Sequence, residues 1–230
     1  AKAVQYIRPE IIGFILGSFA FALAGREFKP TGGSSPILRF IIAFFVMIGA
    51  LVFLGCPLRM VLRMAAGDLN AYVGFAGFAA GIGVGTIFLK KGFSLGRAYS
   101  QPKTNGYVMP AIAVVLLVLL LVSPAFISFS SEGPGSLQAP ILLALACGLV
   151  IGVLAQKSRM CMAGGIRDII LIKNPNLLLG YAAIFVVVFA GNLLRGNVNF
   201  SFEGQPIAHT DFLWNFLGMS LTGLGSVLLG

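Results

Sequence analysis

Long apolar stretches alternate with short polar connections along most of the chain. Each stretch approaches the ~20 residues that an α-helix needs to cross the hydrocarbon core of a bilayer. We predict seven spans, the first rather short, near residues 11–25, 37–55, 70–89, 107–127, 139–156, 177–194 and 210–230. The pattern therefore predicts an all-α, polytopic membrane protein.

Two further apolar segments, near 57–66 and 160–172, are too short to cross a bilayer. Interrupted backbone is tolerated at membrane depth only where protein or water satisfies its polar groups. We therefore expect these segments to be re-entrant or broken short helices.

The beginning of the chain resembles its end at one constant offset. The matched residues are Pro9, Ala24 and Gly25 in the first copy and Pro175, Ala190 and Gly191 in the second. Counting spans places the copies in opposite orientations, which is the inverted-repeat pattern of many secondary transporters. We divide a single transmembrane domain, residues 1–230, into repeat one at about 9–69, connecting spans at 70–156 and repeat two at about 157–230.

The two copies are cut at different points. Copy one continues into a cysteine motif at 56–59 for which copy two has no counterpart, and copy two follows a cluster at 161–168 for which copy one has none. We expect the chain to be a fragment of a longer protein.

Composition supports a membrane protein, because 58% of the residues are hydrophobic and 10% are charged, against roughly 25% charged in soluble domains. The net charge of +9 does not predict nucleic-acid binding, since the basic residues concentrate in particular connections. Lys90, Lys91, Arg97 and Lys103 share one loop without an acid, which the positive-inside tendency places in the cytoplasm. We expect a multi-pass protein of the bacterial inner (plasma) membrane.

The chain has three cysteines without paired spacing and one histidine. This pattern gives no disulfide framework and no metal site, and we expect no metal or cofactor.

Glycines recur at every fourth position in several spans, which favours close helix packing in lipid. The pairs and triplets are Gly13 with Gly17, Gly148 with Gly152, and Gly77 with Gly81 and Gly85. A phosphate-binding turn at residues 81–85 is the alternative, but no strand precedes it and no ribose-binding acid follows it.

The first cluster of polar residues begins at Cys56, which follows an apolar span. Cys56 can cap the next helix, with Pro57 at its first position, so that a thiol lies at a positive helix end that favours anions. Arg59 and Arg63 fall on one face of that helix, and Asp68 could balance one of them. The alternative is that both arginines snorkel to lipid headgroups and the cysteine is filler.

The second cluster contains Cys161, Gly164 or Gly165, and Asp168, which a helix would place on one face. Glycine opposite a thiol leaves room for a small solute. Arg167 and Asp168 are neighbours in sequence, so we expect them to point apart and Asp168 to pair with another segment. The alternative is a cytoplasmic loop held by surface charges.

These residue types suit a sulfur- or selenium-containing anion. Guanidiniums and helix ends replace its hydration with N–H donors, and thiols match a polarizable terminal sulfur or selenium atom. Contacts of this kind are weak enough to release the ion to the next site.

At these residues the chain resembles the YeeE/YedE-type family of membrane transporters for sulfur compounds, and most closely its branch proposed to handle selenium. The resemblance rests on Gly55-Cys56-Pro57-Leu58-Arg59 with Ala66-Gly67-Asp68-Leu69-Asn70, and on Arg159-Met160-Cys161 with Gly164-Gly165-Ile166-Arg167-Asp168. It implies an hourglass-shaped helical fold that passes thiosulfate-like ions inward. It also implies that Cys56 and Cys161 line the constriction, with Arg59, Arg167 and Asp168 as orienting or charge-balancing partners.

Two other functions stay open at this point. One is a membrane-bound sulfurtransferase, in which Cys56 or Cys161 carries a persulfide to a soluble partner; the other is a structural membrane subunit. We favour a transporter over an enzyme, because no general base accompanies either thiol.

Two features have alternative interpretations. The basic loop 90–103 could dock an acidic soluble sulfur-carrier protein or act only as a topology signal. Cys147 could line the path or serve as a small hydrophobe within an apolar span.

Overall fold

The structure is a computed structural model that describes residues 4–5, 7–33, 35–122, 127–128, 139–205 and 208–229. Helices dominate these residues: α1 Pro9–Ala24, α2 Pro36–Phe53, α3 Pro57–Ala65, α4 Leu69–Lys90, α5 Lys103–Gly106, α6 Val108–Val122, α7 Ile141–Ser158, α8 Met162–Ile172, α9 Asn176–Leu194 and α10 Phe212–Leu229. Four short strands accompany them: β1 Val4–Gln5, β2 Thr31–Gly33, β3 Ala98–Ser100 and β4 Ile127–Ser128.

Six helical stretches within the described residues are long and apolar enough to cross a membrane. They are Pro36–Ala65, Leu69–Lys90, Lys103–Val122, Ile141–Ile172, Asn176–Leu194 and Phe212–Leu229, and α1 is a shorter apolar helix. The chain is therefore an all-α, multi-pass membrane protein, which confirms the predicted class. The division into inverted repeats stays a prediction.

Two of these stretches are interrupted. Residues 54–56 separate α2 from α3, and residues 159–161 separate α7 from α8. The short segments predicted near 57–66 and 160–172 are thus confirmed as separate short helices. Each begins directly after a cysteine.

The predicted span 107–127 differs from the structure at its last residue. Helix α6 covers Val108–Val122, residues 123–126 lie outside the described residues, and Ile127–Ser128 form a strand that pairs in parallel with Val4–Gln5. An apolar residue adds to the length of a predicted span whether it is helical or extended. The sequence pattern alone therefore does not distinguish the strand from the helix.

Residue contacts group the helices into two compact units. The first covers Ala1–Gly32 and Ala98–Arg159 and contains α1, α5, α6 and α7. Its α1 and α7 pack backbone to backbone at the predicted glycines: a Cβ on Gly17 would strike the Leu149 carbonyl, and one on Gly152 would strike the Phe14 carbonyl. The absence of side chains lets the two helices approach this closely.

The second unit covers Gly33–Arg97 and Met160–Gly230. Its centre is the contact of α4 with α10, where a Cβ on Gly81 would strike the Ser220 carbonyl and one on Gly77 the Phe216 carbonyl. The Ser220 hydroxyl donates a hydrogen bond to the Gly77 carbonyl at 2.9 Å, which adds a polar contact between these helices.

One apolar core joins most helices of the second unit. Its buried members come from α2, α3, α4, α8 and α10: Phe53, Met60, Val61, Ala71, Phe78, Ile82, Met162, Ala163, Ile166, Met219 and Val227. Both short helices, α3 and α8, therefore begin at the edge of the same packed core.

Replacing Gly81 by alanine tests the glycine contact, and Gly83 is its matched control. A methyl group at 81 meets the Ser220 backbone, whereas no atom of the described residues lies within 4 Å of a Cβ at 83. We expect Gly81→Ala to lower the free energy of unfolding by about 1–3 kcal/mol through overpacking. Gly83→Ala should leave it unchanged or raise it by up to about 1 kcal/mol. Denaturant unfolding in detergent measures both, and equal stabilities would contradict close α4–α10 packing.

Candidate functional site

The end of α2, just before Cys56, has its backbone groups satisfied in full. The last four carbonyls of a helix lack partners inside the helix. Here the Ala50 carbonyl accepts from the Gly55 N–H (3.0 Å), and the Leu51 carbonyl accepts from the Leu54 N–H (3.1 Å). The Val52 carbonyl accepts from His209 Nε2 (2.6 Å), and the Phe53 carbonyl accepts from Arg63 Nη1 (3.1 Å). Because a carbonyl only accepts, the Nε2 atom of His209 carries the proton.

Cys56 is the N-cap of α3, and Pro57 holds the first helical position, as predicted. The preceding Leu54 ends α2 in the left-handed conformation, with φ 60°. The thiol is exposed and makes no capping hydrogen bond. It therefore lies beside the N-terminal end of α3, where backbone N–H groups favour negative charge.

Cys161 is the N-cap of α8, which begins at Met162. Its sulfur accepts a hydrogen bond from the backbone N–H of Gly164 at 3.3 Å, and the thiol is exposed. The sequence pattern predicts one helical face that includes Cys161. The residue instead precedes the helix, because the chain is extended there, with φ −137° and ψ 115°.

Gly164 lies directly beside the Cys161 sulfur. A Cβ built on Gly164 would be 3.5 Å from Sγ and 3.9 Å from Leu177 Cδ1, which are ordinary contact distances. A methyl group would thus fit at this position and occupy space next to the thiol. The observed role of Gly164 is to donate its N–H to the sulfur.

Tyr181 on α9 lies close to both cysteines. Its hydroxyl is near the Met162 backbone N–H and within electrostatic range of Cys161 and Cys56. Sequence reasoning missed this residue, because an isolated tyrosine in an apolar span carries no local signal. The structure thereby brings both predicted cysteines to one tyrosine of the second unit.

Arg63 and Asp68 form a buried ion pair. Arg63 Nε donates to Asp68 Oδ2 at 2.6 Å, and the two side chains are 9% and 3% exposed. The guanidinium also lies over the Phe53 ring, 4.5 Å from its centroid. This burial rules out snorkelling for Arg63 and identifies it as the arginine that Asp68 balances.

Asp68 also starts α4, because its Oδ1 accepts from the Asn70 backbone N–H at 2.9 Å. Arg59, one turn before Arg63, is half-buried, and its aliphatic stem packs beside Gly55, where a Cβ would be 3.1 Å from Cδ. The two arginines therefore have different surroundings, although they share a helix.

Arg167 and Asp168 contradict the expectation that they point apart. Arg167 Nε donates to Asp168 Oδ1 at 3.1 Å, and the side chains are 32% and 22% exposed. A long guanidinium side chain can curve back along the helix to a short neighbouring carboxylate. The predicted partner for Asp168 on another segment is therefore wrong.

The loop after α9 is held against the turn between α3 and α4. The Asn199 N–H donates to the Ala66 carbonyl at 3.0 Å, and Asn70 Nδ2 donates to the Phe202 carbonyl at 2.7 Å. Gly67 has φ +92°, and a Cβ there would be 2.7 Å from the Asn199 carbonyl oxygen. Glycine is therefore required at this close approach.

Cys147 lies inside α7, where it is exposed along an apolar helix of the first unit. It caps no helix, in contrast to the other two cysteines. This difference makes it a suitable control for experiments on thiols.

Replacing Asp68 by asparagine tests the buried ion pair. The substitution keeps an oxygen for the Asn70 N–H but leaves the charge of Arg63 uncompensated, so we expect the free energy of unfolding to fall by about 3–5 kcal/mol. The control is Glu27→Gln, which removes the exposed 3.4 Å pair with Arg159 and should cost less than about 1 kcal/mol. Denaturant unfolding in detergent compares the variants; a loss at Asp68 no larger than at Glu27 would refute the assigned role.

Comparison with known proteins relates part of this chain to a transporter. A segment of 94 residues is 33% identical to the thiosulfate transporter TsuA of Escherichia coli (strain K12), and it covers 39% of this chain and 25% of that protein. No family model matches the chain, and no solved structure matches it. The chain thus matches about a quarter of the length of a protein that transports a sulfur-containing anion.

Proposed function

We propose that this membrane protein takes up a sulfur- or selenium-containing anion of the thiosulfate type, through a constriction lined by Cys56 and Cys161. The similarity to a thiosulfate transporter over 94 residues supports the transport of a sulfur anion. The observation that carries the proposal is the common arrangement of the two cysteines. Each is the N-cap of a short helix that follows an interruption, and each lies within electrostatic range of Tyr181.

Helix N-terminal ends inside a membrane protein are suited to anions. Their N–H groups have no partners within the helix, and the helix dipole is positive there. Interrupted membrane helices in transporters direct such ends towards anionic substrates. At α3 and α8 an exposed thiol occupies the same end, which adds a polarizable group to the N–H donors.

The remaining predicted site residues supply charge and space in this proposal. Arg59 lies in the first turn of α3, next to Cys56. Arg167 engages Asp168 through Nε, so its terminal nitrogens would orient the anion while Asp168 limits the local positive charge. Gly164 leaves the side of the Cys161 sulfur open to a small solute. Weak contacts to each thiol allow the ion to be passed on rather than trapped.

Uptake of labelled thiosulfate by cells tests the proposal. We expect Cys56→Ala and Cys161→Ala each to reduce uptake at least tenfold, because a truncated side chain leaves a gap in the series of thiol contacts. Cys147→Ala should retain uptake, since that cysteine lies within α7 and caps no helix. Membrane levels of each variant are compared by immunoblotting. Wild-type uptake in both capping variants would exclude a role for the thiols.

Mass spectrometry of the purified protein separates transport from sulfur transfer. A transporter that binds the anion through weak contacts gives unmodified cysteines after exposure to thiosulfate. A persulfide on Cys56 or Cys161, with mass increased by one sulfur atom, would contradict the proposal and favour a sulfurtransferase.

A further inference from the structure

Helices α1 and α7 of the first unit run parallel to each other. A Cβ on Gly148 would strike the Glu10 carbonyl, and one on Gly152 would strike the Phe14 carbonyl. Both partners move four residues towards the C-terminus from one contact to the next. The C-terminal ends of the two helices therefore lie at the same end of this unit.

The start of α6 lies at that end as well. The Tyr107 ring, directly before α6, lies 5.7 Å from the Phe19 ring and 5.2 Å from the Phe28 ring, centroid to centroid. The Gln101 N–H donates to the Pro30 carbonyl at 2.9 Å. An aromatic cluster and a backbone hydrogen bond thus hold the connection after α1 against the connection before α6.

Five exposed cations of the first unit lie on these segments and on the end of α7. They form the basic patch, which consists of Arg26, Lys29, Lys103, Lys157 and Arg159. Among the residues that the structure describes, Glu27 is the one carboxylate at this end of the unit, and Arg159 engages it at 3.4 Å. The other four cations form no ion pair with a described residue. The patch therefore carries a positive charge that its single carboxylate does not compensate.

The basic patch borders on side chains that face hydrocarbon. Leu23 in the last turn of α1 and Val108 and Met109 at the start of α6 are apolar and exposed. Lys29 and Lys103 lie a few residues from them along the chain, which places both ammonium groups at the level of the lipid headgroups. A phospholipid phosphate lies at this depth, whereas an acidic soluble protein would have to displace headgroups to reach it.

We propose that the basic patch binds the headgroup of an anionic phospholipid, such as phosphatidylglycerol, through Lys29 and Lys103. An acyl chain of that lipid follows the exposed apolar side chains of α1 and α6. Ammonium groups attract phosphate and remain in the headgroup layer while their alkyl stems cover apolar surface. The exposed Tyr107 ring suits the same layer, where aromatic side chains are enriched. A zwitterionic lipid offers the same phosphate, but the patch repels its own cation, so the site selects by net headgroup charge.

Native mass spectrometry of the purified full chain in detergent tests this site. Phosphatidylglycerol and phosphatidylcholine with identical acyl chains are added in equal amounts. We expect the wild type to retain phosphatidylglycerol roughly fivefold more often or better. Raising the salt concentration should weaken this preference, because salt screens exposed charges. Equal retention of the two lipids would refute the proposal, whatever the cysteine variants do to uptake.

Two substitutions locate the lipid within the basic patch. Lys29→Gln and Lys103→Gln should each lower the affinity for phosphatidylglycerol about fivefold, which is the effect of one basic residue near an anionic surface. Neither should change the retention of phosphatidylcholine. The matched control is Arg8→Gln, which removes one exposed positive charge beyond the other end of α1 and should leave both lipids unaffected.

Two results of the substitutions would overturn the proposal. The first is a wild-type lipid preference in both lysine variants, which is also the result expected if the patch serves an acidic soluble protein. The second is an equal loss of phosphatidylglycerol in Arg8→Gln, which would show that net charge alone decides retention. Thermal unfolding verifies that each variant is folded.

Discussion

The need to satisfy backbone hydrogen bonds away from water governs this structure. An interrupted helix at membrane depth exposes carbonyls at one end and N–H groups at the next beginning, and lipid offers no partner for either. At the end of α2, all four terminal carbonyls accept hydrogen bonds, two from backbone N–H groups and one each from His209 and Arg63. At the start of α8, the Cys161 sulfur accepts one of the N–H groups, that of Gly164.

The buried pair of Arg63 and Asp68 links this requirement to the rest of the second unit. Arg63 donates a hydrogen bond to the last carbonyl of α2, and Asp68 caps the N-terminal end of α4. The α9 loop adds hydrogen bonds to the same turn through Asn199 and Phe202. Removing one member of such a pair leaves an uncompensated buried charge. The stability of the α3–α4 turn therefore depends on both residues. Among the described residues, the buried Nη2 atom of the same guanidinium has no hydrogen-bond partner.

Close helix packing gives the short helices a firm support. In the second unit, α4 and α10 meet at glycines without intervening side chains, so small changes in side-chain volume translate into displacement of whole helices. Helices α3 and α8 place Met60, Val61, Met162 and Ile166 in the core beside these helices. Their cysteines occupy the exposed ends. The exposed cysteine thiols thus lie within one helical turn of side chains that are packed in the core.

The sequence by itself determined the apolar helices, the glycine contacts and the capping position of Cys56. These follow from local properties: the length of an apolar stretch, the four-residue spacing of glycines, and a proline that fits the first turn. Only the tertiary structure decided that Asp68 pairs with Arg63 rather than Arg59, that Arg167 curves back to Asp168, and that His209 donates to a carbonyl at the end of α2. Such choices depend on which segments meet in space, and long side chains have several partners within reach until packing selects one.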